Sequence, residues 1–154
     1  MPRDEIAFSC VKSQIEDYMT TMIYINGIDL KSIIGAIESE QFAKKGLRLQ
    51  NSSYEGICFF IAFHYQNHFL GKTLGDYIYD KERYTLFEYQ YSGIPGDHSL
   101  TCKTSIKKEV VTWYDFKNYS KVIPFELDYG DLQFSFCINQ YIDAINLVRY
   151  NEVV

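Results

Sequence analysis

No run of basic residues occurs anywhere in this sequence. Lysines and arginines come at most in pairs, Lys44-Lys45 and Lys107-Lys108, and the net charge is −5 with a pI near 5.2. Direct nucleic-acid binding needs a basic face, so that class of partner is not expected. Paired cysteines are missing as well. Cys10, Cys58, Cys102 and Cys137 stand alone, none in a CxxC pair, and a structural zinc site wants ligands at close spacing. In a reducing compartment they read as buried thiols that behave as small hydrophobes. The first residues are charged and no apolar core of a secretory signal follows. The longest apolar run, "GICFFIAF", falls well short of the roughly 18 residues of a membrane helix. A cytoplasmic protein without membrane contact is the expectation. No repeat, low-complexity tract or linker divides the chain, and 154 residues suit a single domain over 1–154.

What the chain has in abundance is aromatic surface. Fourteen tyrosines and eleven phenylalanines accompany one tryptophan, 17% aromatic in all. Such residues suit the pleated, half-buried face of a strand, so the excess predicts a sheet-rich fold with tyrosine hydroxyls directed outward. Tyrosine also supplies rigid contact area with a polar tip, which favours it on recognition surfaces.

Periodicity supplies the elements. Ile6 to Val11 reads as a first strand, a polar segment runs on to Thr21, and "MIYING" is a short strand ending in an Asn-Gly turn signal. Asp29 is placed to cap a helix over "LKSIIGAIESEQFAKK", whose Leu30, Ile33, Ile34, Ile37 and Phe42 fall near helical spacing, with Gly46 as its stop. "YEGICFFIAFHYQNHFLGK" reads as a buried strand from its β-branched and aromatic content, although its length would also permit a helix. Further on, Tyr84, Leu86, Glu88 and Gln90 alternate with Thr85, Phe87, Tyr89 and Tyr91 across the two faces of a strand. "SLTCKTSIKKEVVTWYDF" gives two strands about a Lys107-Lys108 turn, and "LQFSFC" gives another with Leu132, Phe134 and Phe136 facing one way. "INQYIDAINLVRY" closes the chain as an amphipathic helix striped by Ile138, Tyr141, Ile142, Ile145 and Val148. The class is α+β: a mainly antiparallel sheet with an early helix and a C-terminal helix packed on it.

Chemistry-bearing residues are sparse. His64 and His68 have the four-residue spacing of a helical metal pair, but Tyr65, Gln66 and Asn67 lie between them without the metalloprotease glutamate. On a strand the same pair would be about 13 Å apart. In "YSGIPGDHSL", Gly93, Pro95 and Gly96 turn the chain between strands, with Asp97-His98 beside them and Cys102 downstream in mid-strand. A Cys/His/Asp system is assembled only in three dimensions, so chain proximity assigns no catalytic role here. No catalytic residue, metal ligand or cofactor is assigned. Carboxylates gather in two places: Asp76, Asp80 and Glu82, and Glu126, Asp128 and Asp131 around "PFELDYGDLQF". Both segments are polar and turn-like, and a solvated carboxylate lacks the raised pKa that a glycosidase acid needs.

In order, "IYINGIDL", "YEG", "FLGK", "GIPGDHSL", "VVTWYDFKN" and "DYGDLQFSFCINQYIDAI" resemble a family of small bacterial proteins with no assigned activity. Trp113, Phe116 and Asn118, with Phe136, Gln140, Tyr141 and Ala144, carry the likeness most specifically. Members of that family carry clustered cysteines around the glycine-rich turn. Tyr89, Tyr91 and Asp97-His98 stand there instead, which removes a metal role from that turn. In general character the chain is also similar to bacterial immunity proteins, small acidic domains that block a basic toxin.

Two functional readings follow. The first is an immunity protein or antitoxin that neutralises a cognate, basic, nuclease-type toxin domain by covering its active site, with Asp76, Tyr77, Tyr79, Asp80 and Glu82 at the interface and Asp97, Asp128 and Asp131 in support. The second is a small metal-dependent or cysteine/histidine enzyme using His64, His68, His98 and Cys102.

Overall fold

The structure, a computed structural model, describes residues 2–13, 17–48, 54–64, 68–71, 78–80, 83–92, 97–121 and 123–153, with backbone alone for 64, 78–80 and 149–153. The fold is α+β, as its periodicities predict. Strands β1 (Ile6–Lys12), β2 (Met19–Ile25) and β3 (Ile28–Asp29) form an antiparallel meander. The β2–β3 turn is Asn26-Gly27 with φ of +53° and +81°, the left-handed pair that a two-residue hairpin demands. Asp29 then caps helix α1 (Leu30–Lys44) by accepting from Lys31 N–H at 2.9 Å, and the chain leaves the helix through Gly46 at φ +68°.

The second sheet has six strands: β4 (Tyr54–Gly56), β5 (Ile78–Asp80), β6 (Arg83–Tyr89), β7 (His98–Lys107), β8 (Val110–Ser120) and β9 (Phe134–Cys137). Its order is β4-β6-β7-β8-β9, all antiparallel, with β5 paired to β6. Helix α2 (Ile138–Val153) follows β9 directly and buries Tyr141, Ala144, Ile145 and Val148.

Two expectations give way. The segment after Gly56 does not stay extended: it winds into a π-helical turn at Phe60–His64 and a 3-10 turn at His68–Leu70. Its β-branched and aromatic residues are there because the site is buried, with Phe63 and Phe69 in the core, and not because the backbone is a strand. The alternation along β6 also breaks. Thr85 pairs with Thr101 but Phe87 pairs with Leu100, so one extra residue is accommodated and Glu88 joins the face of Thr85 instead of that of Tyr84.

The sheets join at both ends. β3 covers only Tyr24 and Ile25 of β2, which leaves Thr20 to bridge Cys58 and Thr21 N–H to donate to Ile57 C=O at 3.0 Å. At the other end Asp4 N–H donates to Ser135 C=O at 2.8 Å, beside β9. Gln140 of α2 then completes the outer edge of β1, accepting from Ile6 N–H at 3.1 Å and donating to Ile6 C=O at 2.7 Å. The two sheets are thus linked at both ends by isolated bridges, Asp4 to Phe136 and Thr20 to Cys58.

The core is a ring of aromatic contacts: Phe8 to Phe69 at 4.7 Å, Phe69 to Trp113 at 6.1 Å, Trp113 to Phe136 at 5.4 Å, Phe136 to Tyr141 at 5.5 Å and Tyr141 to Phe8 at 6.4 Å between centroids. The lone tryptophan donates its indole N–H to Tyr141 Oη at 3.0 Å, and Tyr141 donates in turn to Phe69 C=O. Among the described tyrosines, Tyr54, Tyr84, Tyr129 and Tyr141 are buried, whereas Tyr91 is exposed.

Candidate functional site

Between β8 and β9 the chain crosses residues 123–133 outside any strand, and the residues of this crossing alternate. Leu127 and Tyr129 are buried, whereas Glu126, Asp128, Gly130 and Asp131 face solvent. Local bonds shape the turn. Asp128 Oδ1 accepts from Gly130 N–H at 2.7 Å, Leu132 N–H donates to Tyr129 C=O at 3.1 Å, and Gly130 takes φ +57°. An open cleft of about 500 Å³ runs beside it, lined among others by Asp115, Lys117, Glu126 and Asp128. Asp115 is paired with Arg83, so Glu126 and Asp128 against Lys117 set the charge of the cleft.

Beneath the loop lies a carboxyl that belongs to neither carboxylate cluster of the sequence. Glu38, on α1, is 1% exposed. Its Oε2 accepts from Tyr54 at 2.6 Å and from Tyr129 at 2.5 Å, and Tyr54 Oη accepts from Asn118 Nδ2 at 2.7 Å. Because Asn118 Nδ2 can only donate, the Tyr54 proton points to Glu38, and the two phenols converge on one oxygen. Burial raises the Glu38 pKa above the ordinary carboxylate range, opposed by the two phenol hydrogen bonds. A sign of this was legible. The buried positions of α1 are Leu30, Ile34, Glu38 and Phe42, so a glutamate occupies the apolar stripe.

On the other side of the cleft, Asp115 sits at φ +52°, strained for a residue with a Cβ. Its side chain is held by the 4% exposed Arg83, which donates Nη2 to Asp115 Oδ2 at 2.5 Å and Nη1 to Asp115 C=O at 2.7 Å. Nη1 also reaches Thr101 Oγ1 at 3.0 Å, and Lys103 Nζ approaches Asp115 at 3.8 Å.

The side chains of the enzyme reading are enclosed. His68 is fully buried and donates Nε2–H to Thr85 C=O at 2.5 Å; burial lowers its pKa to about 4. His98 is buried too, stacked on Tyr54 at 4.4 Å with Nδ1 3.0 Å from Ser120 Oγ, and burial lowers it to about 4. Cys102 has no exposure, and burial pushes its thiol far up, away from the reactive thiolate. The side chain of His64 lies outside the described residues. Among the described residues no group of three or more His, Cys, Asp or Glu could hold a metal ion, and no helix is long and apolar enough to cross a membrane.

Of the expected interface residues, Asp76, Tyr77 and Glu82 fall outside the described residues, and Tyr79 and Asp80 are described only as backbone of β5. Asp97 is half-buried, accepting from Ser92 Oγ at 2.9 Å and facing Lys121 at 3.8 Å. Asp128 and Asp131 are exposed on the acidic loop, which Glu126 joins. Compared with protein-family models, curated proteins and solved structures, the chain matches none.

Proposed function

We propose that this chain is a binding protein of the bacterial immunity or antitoxin type, which covers the active site of a basic, nuclease-type toxin domain. The observation that carries the reading is the acidic loop: Glu126, Asp128 and Asp131 project to solvent from a backbone whose intervening residues, Leu127 and Tyr129, are fixed in the core. Like charges held outward steer a cationic partner and speed its capture. A loop already ordered loses little entropy when it docks, which keeps release slow. The exposed ring of Tyr91 is suited to contact area elsewhere on the surface. The alternative chemistry has less to stand on, since His68, His98 and Cys102 face inward.

The test is a parallel capture from the native host with the tagged chain and its Asp128→Lys/Asp131→Lys variant, followed by purification of any retained nuclease. A nuclease of basic pI that the wild type inhibits at a one-to-one ratio, and that the variant binds more slowly and with a weaker salt dependence, supports the reading. Retention of no basic nuclease, or equal inhibition by wild type and variant, overturns it.

A further inference from the structure

One face of α1 touches the acidic loop at four consecutive helical contact points. Glu38, Gln41, Phe42 and Lys45 stand at i, i+3, i+4 and i+7, the spacing that shares a face. Together they meet Phe125, Asp128 and Tyr129. Gln41 Nε2 donates to Asp128 C=O at 2.6 Å, and its Oε1 accepts from Asp128 N–H at 2.8 Å. Glu38 takes the Tyr129 hydroxyl at 2.5 Å. Phe42 packs edge-on against Phe125 at 5.0 Å, and the Lys45 ammonium lies 5.8 Å from the centre of the Phe125 ring.

We infer that this face of α1 presents the acidic loop to its partner, with Glu38 and Gln41 as positioning residues; the inference rests on the docking reading above. Gln41 occupies both backbone groups of Asp128 as a neighbouring strand would, so the Asp128 side chain is turned outward without a sheet to hold it. Glu38 works from below. Its Oε2 is met by two phenols, one of which belongs to the loop. Neither residue adds to the charge the partner meets at the loop, since Glu38 is enclosed and Gln41 is neutral. Charge and order are therefore separable. Changing an exposed aspartate alters steering, whereas changing a clamp leaves every loop carboxylate in place and frees the backbone that carries them.

The full chain is compared with Gln41→Leu and Glu38→Gln by hydrogen exchange and by binding to the nuclease recovered above. Losing the Gln41 bonds is expected to speed exchange at the Asp128 amide by about tenfold or more, with the β7–β8 ladder unchanged. Binding weakens through faster release, while the dependence of the association rate on salt keeps its wild-type slope. Should Glu38→Gln also open the β7–β8 ladder, the Gln41→Leu result decides. Wild-type exchange at Asp128 in Gln41→Leu overturns the inference, and so does faster exchange with unaltered release. If the wild type retains no basic nuclease, the docking reading falls, and the exchange measurement still decides whether α1 orders the loop.

Discussion

A Cβ built on Gly56 would lie 1.7 Å from the carbonyl oxygen of Thr21. This is the joint where β2 meets β4, and the neighbour is backbone, which cannot swing aside. Gly56→Ala must push the two sheets apart, and the expected loss is about 3 kcal/mol, at the upper end for overpacking. The urea midpoint measures it. A variant with the wild-type midpoint would refute the joint.

Tyr141→Phe keeps the ring and removes one oxygen. It strands the Trp113 indole N–H and the Phe69 carbonyl inside the core. Two buried groups without partners cost about 2 kcal/mol or more, a fall in Tm of roughly 4–8 °C for a chain of this size. Tyr24→Phe, which gives up only a 3.6 Å contact with Met22 Sδ, should stay within about 0.5 kcal/mol.

Stability should peak near pH 6.5. His68 and His98 fall from 6.5 to about 4, so the unfolded chain takes up their protons first; their stabilisation is present above pH 6.5 and is lost as pH falls towards 4. Glu88 runs the other way. Burial raises it from 4.5 to about 8, against a 2.8 Å hydrogen bond from Ser99, so its contribution is full below pH 4.5 and is lost as pH rises through 8. Between pH 4.5 and 6.5 two histidines outweigh one glutamate and stability rises with pH. Above 6.5 Glu88 sets the fall. Urea unfolding at pH 5, 6.5 and 8.5 reads the curve, and Glu88→Gln should flatten its basic limb. A wild-type stability that climbs steadily to pH 8.5 would contradict the account.

The β7–β8 hairpin turns on Lys108 and Glu109 at φ +49° and +67°, a left-handed pair without glycine. Each such residue costs roughly 1–2 kcal/mol; glycine relieves that strain, but its freer unfolded chain takes back part of the gain. Lys108→Asn with Glu109→Gly copies the β2–β3 turn and should stabilise by about 1 kcal/mol, read as a higher Tm. An unchanged or lower Tm would mean that the Glu109 carbonyl, which accepts from Ile138 N–H at 2.9 Å, needs the native geometry.

Local signals carried much of the fold. The Asn26-Gly27 turn, the Asp29 cap and the Gly46 stop are short-range chemistry and stand where the residues put them. Signals that mix burial with conformation misled: the aromatic run after Gly56 is interior but not extended, and the β6 bulge shifts Glu88 without any breaker residue to announce it. At the site, Asp128 and Asp131 were visible as charges in a turn. Their supports were not, because Gln41 and Glu38 lie 87 and 91 residues away from what they hold. Trp113, Asn118, Gln140 and Tyr141 make hydrogen bonds that tie distant segments together.

The outer edge of β1 is finished by a side chain 134 positions later, Gln140. A ribosome therefore releases β1 long before its cover exists, and until α2 emerges the nascent chain carries a bare ribbon open to any other strand. Shortening the protein ahead of Gln140 would make that transient hazard permanent, and such fragments should aggregate instead of remaining as smaller folded units.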